Sequence, residues 1–265
     1  MIAWTFFHRF CSLSLDALLP DLVLPLPFLM GPLKGMLMKI SLKSERQFIY
    51  GNFEVEVVKM IQDVIKPGWV IYDVGAHVGY FTLIFSRLVG PKGHCFSFEP
   101  SPKVFRRLKS NVQLNRRRLQ AEVDAIEIGL YSEAGQKEFF IGGSSSTGRL
   151  VRFPKEVPEE TIVTVPVTTI DTLVGNGMPS PDIVKIDVEY VEDHVIRGAI
   201  NTISNHQTII LCEIHTIESG TNCFNILKSL SYDIRHIETT HAWNSTDSVS
   251  TGHIIAFPEG SQHKR

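Results

Sequence analysis

Residues 69–100 run WVIYDVGAHVGYFTLIFSRLVGPKGHCFSFEP, and this stretch decides the fold of the chain. An apolar run that contains Asp73 ends at Gly75, and Gly79 follows before apolar residues at helical spacing. A second apolar run then ends in Glu99. The order of strand, glycine turn, helix, strand and acid is typical of a parallel sheet that binds an adenine nucleotide or nucleoside at the carboxyl ends of its strands.

The rest of the chain alternates between strand patterns and helix patterns. We predict further strands over 122–130, 183–188, 208–214, 232–237 and 252–257, and helices over 53–65, 102–115, 169–174 and 221–230. A hairpin-like insert, 138–141 with 162–167, surrounds a Gly- and Ser-rich loop at 142–148. This alternation predicts an α/β fold in which a mainly parallel sheet has helices on both faces.

Composition sets the class of protein. The chain has 265 residues, of which 43% are hydrophobic and 20% are charged, and its net charge is −2. These values predict a globular domain with a sizeable core and no nucleic-acid partner, which would need a basic face. The four cysteines lack CxxC spacing, which predicts a reduced, cytoplasmic protein.

The N-terminal region is apolar and differs in pattern from the rest of the chain. We predict that residues 1–46 are an apolar cap or extension and that residues 47–262 form the main domain. Charged residues and prolines interrupt the apolar stretches, so no run reaches the ~18–20 residues of a membrane-spanning helix, and no signal peptide is expected. Segment 24–40 is expected to pack as a cap, with peripheral contact to a membrane or a partner as the alternative.

The glycine turn favours one kind of ligand. Its Asp-x-Gly-x-x-x-Gly spacing lacks the third glycine that a dinucleotide pyrophosphate prefers, and the carboxylate of Asp73 would repel a pyrophosphate. The same carboxylate suits an ammonium group, while Glu99 can accept both hydroxyls of a ribose. A ligand with adenine, ribose and ammonium but no phosphate is S-adenosylmethionine. A nicotinamide-dependent oxidoreductase is the alternative that the missing glycine disfavours.

A second set of polar residues follows the fourth and fifth predicted strands. Asp187, Glu213 and His215 are expected to border one crevice, because parallel strands end at the same edge of a sheet. In one interpretation a carboxylate or His215 is the general base that removes the proton of an acceptor hydroxyl. In the other, Asp187 and Glu213, with His215 as a further ligand, hold Mg²⁺ or Mn²⁺, which lowers the pKa of that hydroxyl.

From about Tyr50 to Phe257 the chain resembles the FkbM family of S-adenosylmethionine-dependent methyltransferases. The resemblance rests on several blocks of sequence: YGNFEVEVV (50–58), KPGWVIYDVGAHVGYFT (66–82), FEPSPKVFRRLKSNVQLN (98–115), GLYSEAG (129–135), VPVTTIDTL (165–173), DIVKIDVEYVEDHVIRGA (182–199) and ILCEIH (210–215).

This resemblance implies a Rossmann-like class I methyltransferase with a seven-stranded, mainly parallel sheet. It also implies O-methylation of a hydroxyl group on a small molecule or glycan. The cofactor-contacting positions of the family map onto Asp73, Gly75, Ala76, His77, Gly79, Glu99, Gly129 and Leu130.

The chain departs from the family pattern at Tyr190. The family has a glycine in the segment VKIDVEGxE, where this chain has VKIDVEYVE. Glycine permits a turn with positive φ or the close approach of a ligand, whereas a tyrosine fills part of the pocket. A non-catalytic binding protein that keeps the fold is therefore a further alternative function.

Overall fold

The computed structural model describes residues 22–43, 45–49, 53–141, 149–150, 162–237 and 251–260. The predicted loop at 142–148 and residues 1–21 of the predicted cap lie outside these ranges. Contacts within the chain define two compact units, Met1–Phe53 and Glu54–Arg265. The division of the chain at residue 46 into cap and main domain stays a prediction.

The first unit contains an antiparallel pair of strands. Strand β1 (Val23–Pro27) pairs with β2 (Leu37–Ser41), and a 3-10 turn follows at Arg46–Phe48. Between the two strands, Leu29 and Met30 are 69% and 62% exposed. They lie in segment 24–40, for which membrane contact stays a prediction. None of the described helices has the length and apolar character needed to cross a bilayer.

The second unit contains a seven-stranded sheet. Its strands are β3 (Val70–Val74), β4 (His94–Phe98), β5 (Glu122–Ile126), β10 (Ile183–Ile186), β11 (Ile209–Ile214), β12 (Tyr232–His236) and β13 (Gly252–Pro258). Their spatial order is β12-β13-β11-β10-β3-β4-β5, and β13 runs in the opposite direction to the other six strands. The seven-stranded, mainly parallel sheet that the resemblance implies is confirmed.

Seven helices of the second unit are described. They are α1 (Val55–Val64), α2 (Tyr80–Val89), α3 (Pro102–Leu114), α4 (Ile170–Gly175), α5 (Glu192–Arg197), α6 (Ile200–His206) and α7 (Ile217–Ser229). Helix α7 begins four residues earlier than the pattern at 221–230 predicts, since Thr216 caps it by accepting a hydrogen bond from the N–H of Ser219 at 3.1 Å. The central strands β3, β4, β10 and β11 are buried almost throughout, which explains their continuous apolar runs.

The predicted strand over 122–130 is wrong in one respect, because it is two strands in two sheets. Strand β5 ends at Ile126, and β6 (Gly129–Leu130) joins a four-stranded sheet with β7 (Gly135–Phe140), β8 (Arg149–Leu150) and β9 (Ile162–Thr168). The predicted hairpin of the insert is confirmed by the antiparallel pairing of β7 with β9. A continuous apolar pattern cannot show where the chain changes from one sheet to another.

The turn after β3 requires glycine because β10 lies against it. Gly75 has a φ of +77°, and a Cβ added there would lie 1.9 Å from the backbone oxygen of Asp187. Strands β3 and β10 pair in parallel, so the residues that follow them meet at one edge of the sheet. Any side chain at position 75 would collide with the backbone of Asp187, so the fold itself requires glycine there, whether or not a ligand binds.

We expect Gly75→Ala to destabilise the fold by about 3 kcal/mol or more, because left-handed strain and a backbone clash act together. Gly177→Ala is the matched control for strain alone, since Gly177 has a φ of +95° with nothing within 4 Å of an added Cβ. It should cost about 1–2 kcal/mol. Denaturant unfolding of both variants measures the difference, and equal losses would show that contact with Asp187 is not what demands glycine.

Candidate active site

The turn that follows β3 is closed by hydrogen bonds within the protein. The N–H groups of Gly75 and Ala76 both donate to the backbone oxygen of Phe98, at 3.0 Å each. His77 has a left-handed φ of 51°, and its N–H donates to Oε2 of Glu99 at 3.0 Å. The turn therefore joins the ends of β3 and β4 and brings three of the predicted cofactor positions next to Glu99.

Glu99 is held in one orientation at this edge of the sheet. Its Oε1 accepts a hydrogen bond from the N–H of Ser101 at 2.9 Å, and the residue is 6% exposed. Burial raises the pKa of Glu99 to about 7, although the N–H groups of Ser101 and His77 oppose this shift. A carboxylate offers about four lone-pair sites, so its oxygens can still accept hydrogen bonds from two hydroxyl groups.

Asp73 is fully buried near the end of β3. Its Oδ2 accepts a hydrogen bond from Oγ1 of Thr82 at 2.6 Å. Its Oδ1 lies 3.9 Å from Nζ of Lys185 and has no hydrogen-bond donor among the described residues. Burial raises the pKa of Asp73, and the charge of Lys185 and the bond from Thr82 oppose the shift. One oxygen of this acid thus keeps its capacity to accept a hydrogen bond.

The other predicted cofactor positions use their side chains, or the lack of one, for packing. Ala76 is buried beside Leu108, and Gly79 precedes α2 as its N-cap at a φ of +92°, where a Cβ would lie 2.8 Å from Cδ1 of Leu108. Gly129 and Leu130 form β6, and the side chain of Leu130 belongs to the hydrophobic core. These four residues therefore offer backbone atoms, rather than polar side chains, to a ligand.

Lys185 lies between Asp73 of β3 and Asp187, which follows β10. It lies within β10, opposite Asp73 of β3, and is only 4% exposed. Its Nζ donates to Oδ2 of Asp187 at 2.8 Å, and the two groups form an ion pair. Burial alone would raise the pKa of Asp187, but the charge and hydrogen bond of Lys185 and the charge of His215 lower it to about 2. Asp187 is therefore a permanent anion at neutral pH.

His215, which follows β11, is fixed by a buried carboxylate that the sequence did not assign to the site. Glu192 is fully buried, and its Oε1 accepts hydrogen bonds from Nδ1 of His215 at 2.6 Å and from the N–H of the same residue at 3.1 Å. Its Oε2 accepts from Oγ of Ser219. Burial would lower the pKa of His215, but Glu192 and then Glu213 raise it to about 9. His215 is therefore held as a cation.

Glu213 lies between two histidines. Its Oε1 is 3.7 Å from Nε2 of His215, and its Oε2 is 3.6 Å from Nε2 of His253, which faces it across the β11–β13 pair. His253 also lies 3.2 Å from Oε2 of Glu54. Burial lowers the pKa of His253, but the nearby carboxylates of Glu213 and Glu54 raise it to about 10. Anionic and cationic side chains therefore alternate along this edge.

The structure brings the three predicted catalytic residues together. One ligand atom from each of Asp187, Glu213 and His215 lies within 4.8 Å of the others. The three side chains are partly exposed, so a substrate can reach them. Two carboxylates beside a cationic imidazole can hold hydroxyl groups and accept a proton. The two carboxylates also suit a divalent cation, which His215 could join as a ligand only in its neutral form, because an imidazolium has no lone pair for a metal.

Sequence reasoning missed three members of this cluster. Glu192 lies in the first turn of α5, where an acid is common, so its position in the sequence does not mark it as a site residue. Glu54 and His253 lie near the two ends of the domain in sequence, and only the insertion of β13 between β11 and β12 brings His253 beside Glu213. No local pattern signals such a pairing, since it depends on the order of the strands.

Comparison with known proteins identifies relatives of the chain. The family described as "Methyltransferase FkbM domain" matches residues 73–257. The hexuronic acid methyltransferase AglP of Haloferax volcanii is 30% identical over 179 residues, which cover 67% of this chain and 68% of the relative. The 31-O-demethyl-FK506 methyltransferase FkbM of Streptomyces tacrolimicus is 25% identical over 203 residues, which cover 66% of this chain and 77% of the relative.

A solved structure also aligns with the chain. The crystal structure of the methyltransferase FkbM from Methylobacillus flagellatus KT aligns with a TM-score of 0.48 at 15% identity. The alignment covers 76% of this chain and 50% of that protein, so the chain spans about half the length of the solved relative.

We expect Glu192→Gln to lower the pKa of His215 from about 9 towards its ordinary value of about 6.5, because the amide removes the anion that stabilises the imidazolium. An NMR titration of the His215 ring measures this shift. Glu218→Gln, an exposed acid on α7, is the control and should leave the titration unchanged.

The same pair has a consequence for stability. Since the pKa of His215 is raised in the folded state, its contribution to stability is complete below pH ~6.5 and disappears as the pH rises through about 9. The Glu192→Gln variant should lose this part of the pH dependence. An unchanged titration of His215 in the variant would contradict the assigned ion pair.

Proposed function

The chain belongs to the FkbM family of methyltransferases, since the family match covers residues 73–257, and we propose that it transfers the methyl group of S-adenosylmethionine to a hydroxyl group of a small molecule or sugar. The observation that carries this proposal is the arrangement of two polar groups at one edge of the sheet. The first is Glu99, which follows β4. The second consists of Asp187, which follows β10, and of Glu213 and His215, which lie at the end of β11 and directly after it. The first group suits the methyl donor and the second suits the acceptor.

The residues beside the glycine turn fit the methyl donor. Two backbone N–H groups orient Glu99, whose remaining lone pairs match the two hydroxyls of a ribose. Oδ1 of Asp73 is a buried acceptor without a donor among the described residues, which suits an ammonium group held directly or through water. When bound, the sulfonium supplies an electrophilic methyl group. The turn, with Asp73 before it, suits a cationic ligand better than a pyrophosphate.

The second group suits an acceptor hydroxyl and its proton. In the reaction the hydroxyl oxygen forms a bond to the methyl carbon, the carbon–sulfur electron pair remains on sulfur, and the hydroxyl proton passes to a carboxylate. Glu213 is the carboxylate we assign to this proton, because Asp187 is tied to Lys185 and both ring nitrogens of His215 face carboxylates. Asp187 and His215 would align the hydroxyl, and alignment supplies much of the rate of such a displacement.

The named relatives support the class of acceptor. One is called a hexuronic acid methyltransferase and the other a 31-O-demethyl-FK506 methyltransferase. The second name places the methyl group on an oxygen, and the first denotes a sugar acid as the acceptor. We infer that the acceptor of this chain is a hydroxyl on a sugar or another small molecule.

A metal-assisted mechanism is the second candidate. Ligand atoms of Asp187, Glu213 and His215 lie within 4.8 Å of one another, which is close enough for a single Mg²⁺ or Mn²⁺. Such an ion would bind the acceptor oxygen and lower the pKa of its hydroxyl. Under this mechanism the carboxylates act as ligands, and the proton can leave to water.

We expect Glu99→Ala to weaken binding of S-adenosylmethionine at least about tenfold, because it removes a charged acceptor of the ribose hydrogen bonds. Isothermal titration calorimetry measures the affinity. Glu122→Gln, an exposed acid at the opposite edge of the sheet, is the control. Glu99→Gln keeps a side-chain oxygen that can accept a hydrogen bond from the backbone N–H groups, so the turn is better preserved. This variant therefore distinguishes a lost contact with the ligand from a disrupted turn. Wild-type affinity in both Glu99 variants would refute the assignment.

Asp187→Asn should abolish methyl transfer under either mechanism, while Asp63→Asn on the exposed face of α1 should have no effect. The fold should survive, because Lys185 keeps Asp73 at 3.9 Å. Chelation of the unaltered protein then separates the mechanisms: turnover that persists in EDTA supports the base. Turnover that is lost in EDTA and restored by Mg²⁺ or Mn²⁺ supports the cation. Full activity of Asp187→Asn would contradict both.

A further inference from the structure

Strained backbone positions concentrate beside the candidate active site. Among the described residues, five that are not glycine have a positive φ: Glu54, His77, Tyr190, Gln207 and Ser231. Gln207 and Ser231 lie just beyond the ends of α6 and α7, where a left-handed residue commonly ends a helix. The other three border the site: Glu54 pairs with His253, His77 lies in the glycine turn, and Tyr190 follows β10.

Tyr190 is the most unusual of these three. Its φ is +71°, which a bulky side chain adopts only against a steric cost that glycine or asparagine would largely avoid. The turn is fixed on its far side by Val191 and Glu192, which are 2% and 0% exposed. Strain of this kind persists where the surrounding structure holds it and is concentrated at functional sites. We therefore infer that the strained backbone is kept because it places the aromatic ring of Tyr190 at this position.

The ring of Tyr190 lies next to the catalytic cluster. Its centroid is 6.1 Å from that of His215, and the two planes are inclined by 52°. The residue is partly exposed and lies three positions beyond Asp187. An aromatic surface thus borders carboxylates that can accept hydrogen bonds from hydroxyl groups.

We propose that Tyr190 is a specificity-determining residue, whose ring packs against the apolar face of a cyclic polyol while Asp187 and Glu213 bind its hydroxyls. This inference rests on the proposed function and deepens it. A pyranose ring presents C–H groups on its face and hydroxyls on its rim, and a linear polyol lacks the flat apolar face. Aromatic side chains with a few convergent polar groups form sites of this kind.

Substitutions at Tyr190 should separate stability from acceptor binding. Tyr190→Gly relieves the strain, so its Tm should rise by about 2–4 °C, while its KM for the acceptor rises about fivefold or more with kcat little changed. Tyr190→Phe keeps the ring and should keep both the strain and the KM. Gln207→Gly is the matched control, because it relieves left-handed strain at an exposed helix end and should leave KM unchanged.

The acceptor probes are methyl hexopyranosides and the linear hexitols, tested with S-adenosylmethionine. We expect the wild type to prefer the pyranosides and Tyr190→Gly to lose that preference. If the wild type methylates pyranosides but Tyr190→Gly has the same KM, the role of Tyr190 is overturned and the proposed function stands. The same conclusion follows if the wild type methylates hexitols and pyranosides equally well. A wild type that binds S-adenosylmethionine but methylates neither class would overturn the cyclic-polyol acceptor inferred here, whereas a wild type that does not bind S-adenosylmethionine would overturn the proposed function itself.

Discussion

The buried ammonium group of Lys185 is the constraint on which the rest of the site depends. A charge with only 4% exposure must be paired, or the fold would bear the cost of its desolvation. Its partners are Asp73 on the neighbouring strand, at 3.9 Å, and Asp187, at 2.8 Å. Because both acids pair with one cation, the side of the site proposed for the methyl donor and the side proposed for the acceptor are fixed relative to each other.

Alternating charges extend this arrangement across the sheet. His215 is held between Glu192 and Glu213, and Glu213 in turn faces His253. Each carboxylate therefore has a cation that orients it, which keeps the site close to one geometry before a substrate arrives. Preorganised polar groups of this kind stabilise a transition state without having to rearrange during the reaction. The strain at Tyr190 is held by the same rigid surroundings.

Much of this architecture could be predicted from sequence, and the exceptions have a common cause. The strand–turn–helix unit around Gly75 was predicted because its apolar periodicity and its glycines are local signals. The strand ends carrying Asp187 and Glu213 were predicted because parallel strands share one carboxyl edge. The roles of Glu192 and His253 were not predicted, since each depends on a partner far away in sequence. The change of sheet after Ile126 was also invisible, because both strands have the same apolar pattern.

In the function proposed above, one edge of the sheet holds the methyl donor on Glu99, with its sulfur facing Asp187, Glu213 and His215. A crystal structure of the protein with S-adenosylhomocysteine tests this most directly. We expect both ribose hydroxyls to lie within hydrogen-bond distance of the Glu99 carboxylate and the sulfur to point at the three catalytic candidates. A nucleoside bound elsewhere, or a sulfur directed away from that cluster, would contradict it.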